Sequence, residues 1–432
     1  MLETQLHFNF KDMFRVPRLA LGRRMLVMLE ALLASYIVYL FMTYLALLVE
    51  GHSLGSIWND FHLMPSSILC LADSTIGHIL VALSYTFSII ILWLGLTSVA
   101  KITIKEYKGD LFYSSRDGWK WAMKNWFPVF FGPISIGIIV GFFVLLAALF
   151  GWLAQWPVLD IIFYGLLFVI FLPTALFLAF SALAFGVGLF MSPSIVACAE
   201  EDTMGSMFGS YTLLWNQPVR LITYTLMTIV AAMIGYQIFY VFILSAFKFI
   251  EMVFGHEMIM GNAYVAIKQV GMDLFGNYSF LPSSIFAGYC SDSTCLLMPD
   301  CLSSIYEPIA AGCGGGGCGG CASAAPAVVS ATITQTITGV VVGIFTLLAH
   351  LAVPAYALAT MATGFATSFI VLTKHKDDQD LIKRKDADER AEAEAAEAEE
   401  EANQEDFARV IVLRWQGTTT DHRDLNLQRN VR

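Results

Sequence analysis

An all-α fold that crosses a membrane about six times, with amphipathic helices at the interface, is what this sequence predicts, and three observations carry that expectation. The chain of 432 residues is 57% hydrophobic and only 14% charged, where a soluble domain carries about a quarter charged residues. Its mean hydropathy is +0.66. Several apolar runs exceed the roughly 18 residues that mark a spanning helix. The net charge of -10 is uneven, because much of the acid follows residue 374. No basic domain points to nucleic acid, so the bilayer is the first partner implied.

The elements follow in order. Segment 1–24 mixes Lys11, Arg15, Arg18, Arg23 and Arg24 with Phe8, Phe10 and Phe14, and reads as a basic interfacial stretch. The run from Met25 to Val49 is too long for a signal-peptide core, and no small-x-small cleavage site follows it. It reads as a retained first span, 25–49. Further spans are expected at 77–100, 128–152, 158–191, 219–250 and 331–373, which makes 25–373 the membrane domain. The last three are longer than a bilayer needs at about 1.5 Å per residue. Pro173 and Pro354 are candidate kinks. Ser330 to Thr338 is polar for a lipid-facing segment, so spans five and six are expected to continue outward and carry the loop 251–330. A rival division of 331–373 into two spans at Pro354 lacks a polar turn around the proline.

Two connections look alike. Ser115 to Pro128 and Asp202 to Pro218 each read as a short amphipathic helix that stops at a proline and turns into a span. Trp119, Trp126 and Trp215 suit the headgroup layer. The pair fits either a weak internal repeat, a device of transporters, or two independent elbows.

Lysine and arginine predict orientation. The N-terminal segment, the connection with Lys101, Lys105, Lys108, Arg116, Lys120 and Lys124, and the start of the tail at Lys374, Lys376, Lys383, Arg384 and Lys385 are basic. Residues 50–76 and 153–157 have no Lys or Arg, and loop 251–330 has only Lys268. Both termini are therefore expected inside a bacterial inner membrane, with the 251–330 loop outside. The tail, 374–432, is Ala/Glu-rich over 386–409 and reads as a solvated helix or an acidic disordered stretch. Its short apolar patch, Val410 to Trp415, is a candidate contact for a partner.

The outer loop is Cys/Gly-rich. Cys290, Cys295, Cys301, Cys313, Cys318 and Cys321 fall in one window, and glycines at 314–317 and 319–320 let the last three crowd together. An even number of cysteines on an oxidising side reads first as three disulfides, with 15 pairings that spacing does not choose between. Cys313, Cys318 and Cys321 also have the spacing of a plant-type iron–sulfur ligand run. That motif needs a fourth cysteine downstream, and none follows Cys321. A zinc or copper site on a subset of the thiolates is a further alternative. No cofactor is expected.

Ionisable groups inside spans are functional candidates. Glu30 lies near the start of the first span, where it pairs with a neighbour or simply snorkels. His350 is the most central polar residue of the last span and reads as a proton relay or an ordinary interhelical hydrogen-bonding group. Lys248 and Glu251 are spaced to pair along one helix face, and Asp160 suits the start of the fourth span. Gly137 and Gly141 form a small-xxx-small match for close helix packing. Enzyme signatures are missing. Gly255-His-Glu-Met-Ile-Met260 begins like a zinc-protease helix, but Met260 stands where the second histidine belongs. There is no phosphate-binding loop, no dinucleotide fingerprint and no nucleophile elbow.

Three stretches carry a resemblance: Phe14-Arg-Val-Pro-Arg-Leu-Ala-Leu21, Ser192-Pro-Ser-Ile-Val-Ala-Cys-Ala-Glu-Glu-Asp202 with the helix ending Tyr211-Thr-Leu-Leu-Trp-Asn-Gln-Pro-Val-Arg220, and Ser368-Phe-Ile-Val-Leu-Thr-Lys-His-Lys-Asp-Asp378. There the chain resembles a family of uncharacterised bacterial multi-pass membrane proteins, similar to the membrane domain attached to some glycerophosphodiester phosphodiesterases. The resemblance covers most of the membrane region, and neither the Cys/Gly motif nor the Ala/Glu tail. Family members usually carry a Ser-Arg pair in the helix after the acidic turn. Here that helix reads Ser206-Met-Phe-Gly-Ser210, without the arginine. The resemblance implies a fold and a topology and brings no catalytic residues. The expected function is non-enzymatic: a structural or assembly subunit that scaffolds membrane or soluble proteins through its outer cap and acidic tail. The alternatives are a transporter or channel-like permease, on Glu30, His350 and the repeat, and a redox or metal-handling protein using the cysteine loop.

Overall fold

The computed structural model describes residues 6–63, 74–156, 164, 167–275, 331–377, 381–384 and 386. It divides after Leu381 into two units, and every helix discussed belongs to the first. The fold is an all-α polytopic membrane bundle. A 3-10 turn, Phe10–Arg15, leads into α1 (Val16–Leu19). Then follow α2 (Arg23–Val49), α3 (Leu54–Phe61), α4 (Thr75–Tyr107), α5 (Ser115–Lys124), α6 (Trp126–Leu153) and α7 (Phe168–Ala199). The last four are α8 (Thr203–Asn216), α9 (Pro218–Phe254), α10 (Asn262–Phe275) and α11 (Ile333–Asp377). Helices α2, α4, α6, α7, α9 and α11 are long and apolar enough to cross a membrane.

Two expectations need correction. The fourth span was placed at 158–191, yet α7 continues to Ala199 with Pro193 inside it. The Ser192-Pro-Ser194 run beyond residue 191 is buried, and the Ser192 hydroxyl donates to the Val129 carbonyl at 2.7 Å. The helix stops at Glu200 instead, which is left-handed at φ +54°. The division at Pro354 is also overturned, because α11 is one helix of 45 residues through that proline. Val353 and Ala355 beside it are buried, so nothing polar is there to terminate the helix.

The long helices differ in reach. Helix α11 would reach about 68 Å at 1.5 Å per residue. Leu347 and Leu351 pack with Leu32, Leu33 and Tyr36 of α2. Counting along both helices from there, Ile333 and Val49 end at similar heights. Gly364 meets Thr228, and Gly235 meets Tyr356, which puts Phe254 near that same height. The surplus lies at the Lys/Arg-rich end, where Tyr107, the last residue of α4, meets Thr367 at 3.0 Å and α11 runs on to Asp377. The core sits at that end too. Burial concentrates in Thr97–Lys105 of α4, Met191–Ala199 of α7 and Leu351–Leu372 of α11.

Small residues set the crossings. Between α2 and α4, a Cβ on Gly95 would stand 2.7 Å from the Ala31 Cβ. The α2–α4 hairpin closes at its far end, where Ser74 donates from N–H and hydroxyl to Glu50 at 3.1 and 3.2 Å. Gly137 lies against the Phe185 ring while Gly141 touches nothing within 4 Å, so this pair does not make the close backbone crossing expected of it. That crossing occurs at Gly339 and Gly343 of α11, which meet α10 at Val270 and Gly271.

Candidate functional site

The Lys/Arg-rich end of the bundle is built from two ion pairs with buried cations and the two elbow helices. On α4, the Lys101 Nζ lies 2.6 Å from the Glu200 carboxylate at the end of α7. The lysine side chain is 1% exposed and the glutamate 11%. Lys101 also stands over the Trp121 ring of α5, 4.6 Å from its centroid. Five residues further along α4, Glu106 receives the Arg24 guanidinium of α2 at 2.9 Å, and the same arginine donates to the Leu19 carbonyl. Removing such charges from water costs several kcal/mol each, and only close pairing with further polar contacts offsets that cost. Glu200 bears an added strain of roughly 1–2 kcal/mol for its left-handed backbone. Its pair with Lys101 holds it there.

The elbow helices form for local reasons. Ser114 caps α5, accepting from the Asp117 N–H at 3.2 Å and donating to its carboxylate at 2.6 Å. That hydroxyl, above all, holds the Asp117 carboxyl below its ordinary value. Asp202 caps α8 through the Gly205 N–H at 2.7 Å. Each elbow then folds back on the span it leaves. A Cβ on Gly118 would stand 2.6 Å from the Ser98 hydroxyl of α4, and one on Gly209 would stand 3.2 Å from Ile195 of α7. The same sequence of span, capped elbow and span therefore occurs twice, and Lys101–Glu200 joins the two copies.

The predicted polar residues fall in different places. Glu30 accepts from the Trp119 indole at 3.0 Å, which ties α5 to α2. His350 is remote from the charged end. Its Nδ1 lies 2.8 Å from the Thr346 carbonyl of its own helix, and its ring stacks on Phe247 with centroids 5.2 Å apart. Glu251 pairs with Lys248 at 3.7 Å, as the spacing predicts, and more closely with Lys268 of α10 at 2.7 Å. The stretch from Gly255 to Met260 is a turn between α9 and α10. Cys290, Cys295, Cys301, Cys313, Cys318, Cys321 and Asp160 lie outside the described residues. Among the described residues, no group of three or more His, Cys, Asp or Glu is placed to hold a metal ion.

Sequence reasoning placed Lys101 in a basic connection and gave Glu106 and Glu200 no role. The signal was a cation at the end of an apolar run, which reads equally well as a topology marker. Comparison with protein-family models, curated proteins and solved structures returned no match. The polytopic membrane class therefore stands on the fold itself.

Proposed function

We propose that this protein is a non-enzymatic assembly subunit of a bacterial inner membrane, built to hold two extramembrane segments on one post. The observation that carries this is α11, a single 45-residue helix that packs against α1, α2, α4, α7, α9 and α10. The Cys/Gly-rich segment leads directly into its start, and the Ala/Glu-rich tail follows its end. One rigid element thus connects both candidate docking segments. The distribution of Lys and Arg supports the tail inside and the cysteine segment outside. On that side, three disulfides would stiffen a glycine-rich stretch of high unfolded-state entropy. The resemblance to bacterial multi-pass membrane proteins agrees with this topology.

The experiment is native mass spectrometry of the chain extracted gently from membranes, beside variants lacking 276–330 or 378–432. We expect a complex of fixed stoichiometry that loses its partner in one deletion and keeps it in the other. A full chain that extracts without a partner, together with solute flux in vesicles that His350→Ala abolishes, would overturn the proposal in favour of a permease. Thiol titration of the purified chain addresses the cap. Six thiols that appear only after reduction, with no metal, agree with it, whereas free or metal-bound thiols would point to redox or metal handling.

A further inference from the structure

Helix α10 enters the bundle beside α11 and stops partway. It starts just after α9 ends, at the end opposite the Lys/Arg-rich one. The two helices run in the same direction: Ile267 and Val270 lie against Gly339, Gly271 against Gly343, and Leu274 on the cluster of Leu347 and Leu351. The last turn of α10 is tied to the middle of α2. The Leu63 N–H donates to the Leu274 carbonyl at 3.1 Å, and the Tyr36 hydroxyl donates to the Leu63 carbonyl. Tyr36 is the central residue of α2 (Arg23–Val49), so about 20 Å of helix separates it from either end. A hydrocarbon core of about 30 Å has this junction near its mid-depth.

Residues 50–63 reach the same depth from the same end. They leave α2 after Val49 and turn back along it, where the Tyr44 hydroxyl donates to the His62 carbonyl. Two segments thus enter from one side and meet inside the membrane. Lipid offers no partner to the backbone groups freed where a helix ends, so such a junction persists only inside protein or beside water.

The side chains of α10 point to water. At about 100° per residue, Asn262, Gln269 and Asp273 fall within about 40° of one another. That face is turned away from the Ile267, Val270, Gly271 and Leu274 side that meets α11. Asn262 and Asp273 are exposed. The Gln269 Oε1 is buried and has no hydrogen-bond partner among the described residues, one turn above Asp273 on the same face. No ion pair among the described residues includes Asp273, and Lys268 of the same helix is taken by Glu251 at 2.7 Å. An ionised carboxylate facing hydrocarbon is strongly unfavourable, and acids at this depth face a bundle interior or a water-filled space. The end of α10 adds the negative pole of its dipole beside that carboxylate. One full negative charge suits one monovalent cation, whereas a divalent ion would keep an uncompensated charge at mid-membrane.

We infer that a water-filled vestibule opens at the end opposite the Lys/Arg-rich one and descends along the Asn262, Gln269 and Asp273 face of α10, with Asp273 at its floor as the binding group for a monovalent cation. This does not depend on the assembly role.

The test is hydroxyl-radical footprinting of the full chain in lipid nanodiscs, with sodium as the probe cation in a parallel infrared measurement. Radicals form from water, so they report where water reaches. Met272 is half-buried beside Asp273, and Met233 is 55% exposed on α9. We expect Met272 to be oxidised and Met233 to be spared, the reverse of their exposure. Exchanging sodium for choline should shift a carboxylate band of the wild type, and Asp273→Asn should lose that shift. The footprint uses the wild type, so it reports even if the variant fails to fold. Met272 spared as fully as Met233 overturns the vestibule. A carboxylate band that does not respond to sodium in the wild type, or a response that survives Asp273→Asn, overturns the cation site. A wild-type dimer that Asp273→Asn makes monomeric, with Met272 spared, also overturns the inference, since the carboxylate would then serve a contact between copies.

Discussion

Lys101 and Glu200 are 99 positions apart in the chain and 2.6 Å apart in the fold. With both side chains nearly excluded from solvent, losing one partner leaves a buried charge unpaired. Lys101→Met or Glu200→Gln alone should therefore destabilise by about 3–5 kcal/mol. The double variant should recover part of that loss in thermal unfolding of the detergent-solubilised protein. Additive losses would show that the pair is not coupled. At the α5 cap, Ser114→Ala should return the Asp117 carboxyl toward its ordinary value, read from the pH titration of its NMR shift. Because that carboxyl is held low in the folded chain, its contribution is complete above the ordinary carboxylate range. It is lost as pH falls through the lowered value. An unmoved titration would assign the shift to the backbone N–H of residue 114, with Lys120 and Arg116, instead. Glu30 and His350 were legible because a polar residue stands out in an apolar run. Their partners were not, since the sequence does not show which helices become neighbours.

At the scale of elements, hydropathy alone separates the six spans, and both elbows follow from Ser114 and Asp202 ahead of an amphipathic stretch that stops at a proline. The boundaries that failed are those where packing overrides local signals. Ser192 and Pro193 stay helical because Val129 satisfies the serine, and Pro354 stays helical inside the most buried stretch of α11. Helix α10 went unread because Asn262 to Phe275 is too short and mixed to show as a span. Its anchor was nonetheless present as Gly339-Val-Val-Val-Gly343, a small-xxx-small pattern equal to the one at Gly137 and Gly141. A Cβ on Gly339 would stand 2.7 Å from the Val270 Cβ and 2.9 Å from the Ile267 carbonyl oxygen. Gly339→Val should thus push α10 off α11 at a cost of about 1–3 kcal/mol. Faster amide exchange confined to 262–275 would confirm it, and unchanged protection there would show that α10 tolerates the side chain. Gly141→Val should have little effect by the same measurement.

Among the described residues of the first unit, the packed core and the Lys101–Glu200 and Arg24–Glu106 pairs lie at the Lys/Arg-rich end. That asymmetry was not legible in the sequence, because lysine and arginine counts predict only which side an end faces. Helix α11 runs through both halves as the element most others touch. The most direct measurement of its role as a post is the mass of the complex extracted with the full chain, compared with the chain lacking 276–330 and the chain lacking 378–432. We predict a defined partner of fixed stoichiometry, retained in one deletion and lost in the other. A full-length chain that carries no partner at any extraction condition would contradict the assembly role.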